Sequence, residues 1–124
     1  MLLSIDPGPH AGIAYKSDDD EYITTVLLTT KEVYDLIRLK PSVVVIERFA
    51  AVQISAPGLY TVDLVGGVKA LCYVYDIPIF VHPPQGRYAF QKQAKEMLKK
   101  QGGTHMIHEQ DALAHLLAYE HWGR

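Results

Sequence analysis

MLLSIDPGPHAGIAYK, from Met1 to Lys16, is the stretch whose reading decides the fold. Met1–Ile5 is an apolar run that stops at Asp6-Pro7-Gly8-Pro9. Proline has no amide hydrogen to give a ladder and glycine weakens one, so a buried strand ending in a turn is predicted. Gly12–Lys16 is a second short run, and the β-rich Tyr22–Leu28 is a third. Between the last two lies the acidic cluster Asp18-Asp19-Asp20-Glu21, read as a solvated hairpin tip. It lacks the spaced oxygen ligands and the glycine of an EF-hand loop. Three strands on short turns predict an antiparallel meander.

Downstream the pattern changes. Thr29 or Thr30 caps a helix running to about Leu39, with Val33, Leu36, Ile37 and Lys40 at helical spacing and Pro41 as its stop. Val43–Ile46 is an uninterrupted β-branched run, the signature of a strand buried on both faces, and Glu47 stands directly at its end. Gln53–Pro57 reads as a loop, Leu59–Tyr75 as a helix and Ile77–His82 as a fifth strand. Pro83-Pro84-Gln85-Gly86 breaks the chain. Arg87–Lys100 then reads as a basic helix, Gly102-Gly103 as a linker and His108–His121 as a final amphipathic helix. Strands four and five each follow a helix, which fits parallel addition by right-handed crossovers. The predicted fold class is α/β: a five-stranded mixed sheet, three antiparallel strands then two parallel ones, flanked by helices. A chain of 124 residues is the size of a single domain, spanning 1–124.

Composition narrows the function classes. At 48% hydrophobic and 21% charged residues the chain is not disordered. A net charge of -2 argues against a simple basic nucleic-acid binder. The lone Cys72, inside an apolar run, excludes an internal disulfide and a multi-cysteine zinc site, and reads as a buried structural thiol. No apolar run approaches the ~18 residues of a membrane span, and no basic leader with a long apolar region opens the chain. A soluble protein of a reducing cytosol is expected.

The candidate chemistry lies at strand ends and on the last helix. Asp6 and Glu47 each terminate an apolar strand. If those strands are parallel neighbours, the two carboxylates meet at one sheet edge, where a proton or a cation must separate like charges. Oxygen ligands of this sort suit magnesium or manganese. His108 and Asp111, three apart, share a helix face, and His115 lies on the same side as a packing or supporting residue rather than a ligand. The opposite face carries Ala112, Leu113, Leu116 and Leu117. Lys92, Lys95 and Lys99 form one basic stripe, the best candidate for phosphate contact in an otherwise acidic chain. Arg48 and Phe49, directly after Glu47, have the chemistry to grip a phosphate and stack on a base. Gly66-Gly67 in mid-helix costs about 1 kcal/mol against alanine. Close helix–helix approach, across a dimer for instance, would explain that cost, and so would a break in the helix.

Ser4-Ile5-Asp6-Pro7-Gly8 followed by Ala11-Gly12-Ile13-Ala14-Tyr15 resembles the opening of RuvC-type Holliday junction resolvases. Val43–Ile46 with Glu47 resembles their second acidic motif, and Gly67-Val68-Lys69-Ala70-Leu71 the helix after it. His108-Glu109-Gln110-Asp111-Ala112-Leu113-Ala114 is similar to their closing motif. The motifs stand in the family's order over nearly the whole chain. The resemblance implies a ribonuclease-H-like fold. It also implies a homodimeric endonuclease dependent on two Mg2+ ions, with Mn2+ as a substitute, that cuts four-way or otherwise branched DNA. Cleavage would leave 5′-phosphate and 3′-hydroxyl ends. Asp6, Glu47, His108 and Asp111 would be the catalytic metal-binding set, with Asp6 shared between the ions. Phe49, one position nearer the glutamate than the family's aromatic, and Arg87, soon after Pro83-Pro84, resemble residues that touch DNA. A nuclease of the same fold acting on an RNA–DNA hybrid or a flap is the alternative, as is a catalytically silent DNA-binding member. The chain is shorter than usual family members between strand five and the last helix. Such compactness suggests a phage or mobile-element protein working in a bacterial host cytosol.

Overall fold

Alternation along the first strand sorts its side chains between two helical layers. In the computed structural model, which describes residues 1–49 and 55–124, β1 (Leu2–Asp6) lies at the centre of a five-stranded sheet. β2 (Ala11–Lys16) and β3 (Tyr22–Leu27) extend it antiparallel on one side. β4 (Val43–Glu47) and β5 (Ile79–His82) extend it parallel on the other, so the order is β3-β2-β1-β4-β5. The predicted fold class and strand senses are those observed. Register places Leu3 beside Val44 and Ile5 beside Ile46. These four, with Ile13, bury against α1 (Thr30–Arg38) and α2 (Ala56–Val74), which add Val33, Ile37, Leu64 and Val68. The alternate positions, Ser4, Asp6, Ala14 and Glu47, face the layer of α3 (Gln91–Gln101) and α4 (Ile107–Trp122).

The helix ends follow from local chemistry. Thr29 caps α1, its hydroxyl accepting from the Glu32 amide at 3.2 Å. Ser55 caps α2 by accepting from the Gly58 amide at 3.1 Å. Of the expected loop Gln53–Pro57, residues 53–54 lie outside the described residues, and from Ala56 the chain is already helical because the Ser55 cap opens the helix ahead of Leu59. α2 runs unbroken through Gly66-Gly67. A Cβ at Gly67 would fall on the Tyr34 ring and hydroxyl, so this glycine permits α1 and α2 to approach within one chain, and needs no second copy to explain it. Cys72 is buried, as expected.

Three further expectations are corrected. β5 starts at Ile79, because Asp76 turns left-handed (φ 55°) and Pro78 offers only its carbonyl, to the Val44 amide at 2.9 Å. Arg87–Lys100 is not one helix. Pro84–Phe90 curls into a 3-10 helix, and α3 begins only at Gln91. The tighter curl turns Arg87 toward the sheet while Phe90 packs on His121 and Trp122 of α4. Finally, α4 is not amphipathic in its middle. Glu109 and every residue from Ala112 to Ala118 are buried, since α4 is enclosed by the sheet on one side and by α3 and the 3-10 helix on the other.

Candidate active site

Asp6, Glu47 and His82 are the last residues of β1, β4 and β5, three parallel strands side by side. Each is in phase with the face toward α4. The carboxyl ends of parallel strands are where open α/β sheets bind ligands. Glycine seats the helix opposite: a Cβ at Gly12 would collide with the backbone carbonyl of His108, so only glycine lets the start of α4 settle on β2. The far end of α4 is tied down by Glu120, which accepts from Lys16 at 2.7 Å and from Tyr22 at 2.6 Å. Between these anchors, His108, Asp111 and His115 project from one helix face onto the strand ends.

The contacts tie the four predicted site residues into two groups. His108 Nδ1 lies 2.9 Å from Asp6 Oδ2. Arg87 donates from Nη1 to Glu47 Oε1 at 2.6 Å, and its Nε lies 3.5 Å from Asp111 Oδ1. The second contact is not directed as a hydrogen bond, so the buried Arg87 Nε–H has no acceptor among the described residues. Gln91 donates to Asp111 Oδ1 at 3.2 Å. His115 Nε2 stands 3.2 Å from Glu47 Oε2. Arg87 therefore lies inside the carboxylate cluster rather than on an open surface.

The environments push the carboxyl groups apart in acidity. Burial drives Asp6 up to about 7, against the His108 hydrogen bond and with help from the neighbouring charges of Glu47 and Asp111. Burial also acts to raise Glu47, but the His115 hydrogen bond and charge and the Arg87 guanidinium outweigh it and hold Glu47 below the usual carboxylate range. Two carboxylic groups with opposed shifts on one wall form an acid–base pattern.

The donor set fits a hard divalent cation: carboxylate oxygens with one imidazole. Burial among like charges favours the protonated form of Asp6, and Arg87 stands between Glu47 and Asp111. Among the described residues, no three His, Cys, Asp or Glu side chains already surround one point where a metal ion would sit. A cation held by Asp6, Glu47, Asp111 and His108 would replace the Arg87 contacts and the proton that Asp6 favours.

Residues predicted to touch DNA surround this wall. Arg48 and Phe49 are exposed just past β4, with the Arg48 amide tied to the His82 carbonyl at 2.6 Å. Lys92, Lys95 and Lys99 are exposed on α3, whose Ala94 and Leu98 face inward. Sequence reading misses His82 as a member of the site. Its signal is present: a polar residue closing an apolar strand, as at Asp6 and Glu47. Gln91 carries no such signal, being one polar residue at a helix start.

No protein-family model matches the chain. No curated protein matches it in sequence. Solved structures do match in fold. RuvC from T. thermophilus in complex with a Holliday junction substrate superposes with a TM-score of 0.71 at 18% identity, covering 99% of this chain and 94% of that one. Fowlpox virus resolvase, in complex with Holliday junction DNA, gives 0.69 at 16% identity over 96% and 97% of the two chains. The yeast mitochondrial Holliday junction resolvase Ydc2 gives 0.53 at 16% identity, covering 98% and 76%. The chain has the fold of the RuvC-type resolvases.

Proposed function

We propose that the chain is a metal-dependent endonuclease that resolves four-way or other branched DNA junctions by paired phosphodiester hydrolysis. The observation that carries this reading is the convergence of Asp6, Glu47, His108 and Asp111 at the carboxyl ends of β1 and β4, on a fold shared with two proteins solved on Holliday junctions. Asp6, Glu47 and Asp111, with His108, would hold divalent cations, Mg2+ or Mn2+. When bound, these supply an activated water and charge stabilisation at the phosphate and its leaving 3′-oxygen, which gives 5′-phosphate and 3′-hydroxyl ends.

The chain's own residues do the rest. Asp6 would hold the cation in its carboxylate form. Arg87, freed from Glu47 and Asp111, presents its Nη1 and its unpaired Nε–H to phosphate oxygens as a planar fork. His108 holds the orientation of Asp6 through Nδ1. Lys92, Lys95 and Lys99 track the backbone from α3, while Arg48 and Phe49 grip phosphate and stack on a base at the end of β4. A two-fold homodimer would place two such walls on the two strands to be cut.

The test is direct. Purified protein is incubated with a labelled four-way junction, a linear duplex, a flap and an RNA–DNA hybrid, with Mg2+ or with chelator. Metal-dependent cutting that favours the junction is expected. Preference for the hybrid or flap would move the substrate class, and no cutting of any substrate would remove the enzyme reading. Light scattering with junction DNA should return a dimer; a monomer would eliminate the paired cut.

A further inference from the structure

Behind the carboxylate wall lies a pair of buried histidines that the cleavage chemistry does not use. His115 has no exposed surface, and His82 is buried beside it. Their Nδ1 atoms face each other at 3.1 Å, within hydrogen-bond distance, and the ring planes are tilted by 53° rather than stacked in parallel. His115 Nε2 continues the chain to Glu47 Oε2 at 3.2 Å. Strand register builds the arrangement, for His82 is the direct parallel partner of Glu47 across β4 and β5. Gly86 closes it from the 3-10 helix: a Cβ there would already touch His82 Cβ at 3.6 Å and the His115 ring at 3.7 Å.

We infer that His115 is a positioning residue for Glu47, and that His82 braces its ring from behind. An ionised carboxylate offers only lone pairs, so the hydrogen in the first contact belongs to His115 Nε2. The two Nδ1 atoms share one further hydrogen, which ties the His115 ring to His82 behind it.

The two oxygens of Glu47 are thus held differently. Oε1 pairs with Arg87, on a surface 3-10 segment, and Oε2 pairs with His115, inside α4. When Arg87 leaves, Oε1 is released while Oε2 stays fixed, so Glu47 keeps its aim. Hydrogen-bond partners of metal-binding side chains work in this way, and losing one typically costs about 10–100-fold in metal affinity or activity.

The inference rests on the nuclease reading for its purpose but not for its test. Long-range 1H–15N spectra of the wild-type protein without metal should show a hydrogen on His115 Nε2, the atom that faces Glu47. A bare His115 Nε2 would overturn the inference, and this readout needs no variant to fold. Mn2+ binding followed by electron paramagnetic resonance should weaken about 10–100-fold in His115→Leu. It should return to within a few-fold of wild type in His115→Gln, whose side-chain amide restores a donor toward Glu47. The Mg2+ half-saturation for cleavage should shift by the same factor, with kcat at saturating Mg2+ changing less. A structural role alone would lower Tm equally in both variants without separating their metal affinities, and that outcome overturns the inference. A wild-type protein that binds Mn2+ but cuts nothing would remove the nuclease reading, while the Leu–Gln difference in Mn2+ binding would still support the positioning role. A wild type that binds no Mn2+ overturns both.

Discussion

The two faces of one sheet are packed on opposite plans. Against α1 and α2 the sheet presents Leu3, Ile5, Ile13, Val44 and Ile46, and the helices answer with Val33, Ile37, Leu64 and Val68. Against α4 the same strands present Ser4, Asp6, Ala14 and Glu47, and the helix answers with alanines, leucines and His115. Ser4, Asp6, His82, Glu109 and His115 are all buried on this second side. A buried polar group is costly unless it is paired, and most of these are paired across elements distant in sequence. The first face supplies stability by volume. The second gives up part of that stability to hold charge and imidazole in place. If the division is real, substitutions on the two faces should separate activity from stability.

The largest separation is expected at Asp6. Asp6→Asn should lower single-turnover cleavage by on the order of 1,000-fold while leaving junction binding in a gel shift intact. Retained turnover would show that Asp6 is not a metal-binding carboxylate. On the other face, Leu64→Ala should cost about 2–5 kcal/mol of unfolding free energy, read by denaturant titration. Well below its midpoint that variant should cut at close to the wild-type rate. An equal loss of cleavage would break the contrast between the faces.

A smaller effect follows from acidity. Asp6 titrates near 7 in the folded chain, above its ordinary aspartate value, so the folded state holds that proton more tightly than the unfolded state. The stability this gives is complete below about pH 4 and is lost as pH rises through about 7. Glu47, held low, contributes in the opposite sense, with stability present above the ordinary glutamate range and lost as acid protonates it. Between about pH 5 and 8 the Asp6 effect dominates. Metal-free protein should lose on the order of 2–4 kcal/mol over that interval, and Asp6→Asn should flatten the slope. Adding Mg2+ at pH 8 should restore stability to the wild type alone. A metal-free stability that rises with pH would contradict the buried, protonated Asp6.

The apolar face is easier to read from sequence than the polar one, for a physical reason. A run such as Val43–Ile46 carries its burial in its own composition, and period-two alternation in β1 places Asp6 on the opposite face from Ile5. Strand ends and helical spacing therefore expose Asp6, Glu47, His108 and Asp111. Pairings that depend on register or on a neighbouring element leave no local trace. His82 meets Glu47 only through parallel pairing of β4 with β5. Gly67 needs Tyr34 from another helix to explain it. Arg87 enters the site because Pro84–Phe90 curls as a 3-10 helix, where the sequence pattern predicts an unbroken α-helix from Arg87. The buried middle of α4 reads as one-sided because Ala114 and Ala118 look like surface-tolerant residues until a second layer covers them.

The smallest expected effect tests whether the polar face continues outward onto α3. Lys92, Lys95 and Lys99 are exposed, and Ala94 and Leu98 are the buried residues that tie their helix to the core. Replacing all three lysines with glutamine should therefore leave Tm within a degree or two, since isolated surface charges contribute little to folding. Junction affinity should fall, and the slope of log K against log salt should shrink by about 0.9 for each phosphate that the lysines no longer neutralise. Cleavage at saturating DNA should stay near wild type, because none of the three reaches the carboxylate wall. A changed salt slope with unchanged turnover would make α3 an electrostatic extension of the site. An unchanged slope would confine DNA attraction to Arg48, Arg87 and the bound cations, and the boundary between the working face and plain surface would then run along the start of α3.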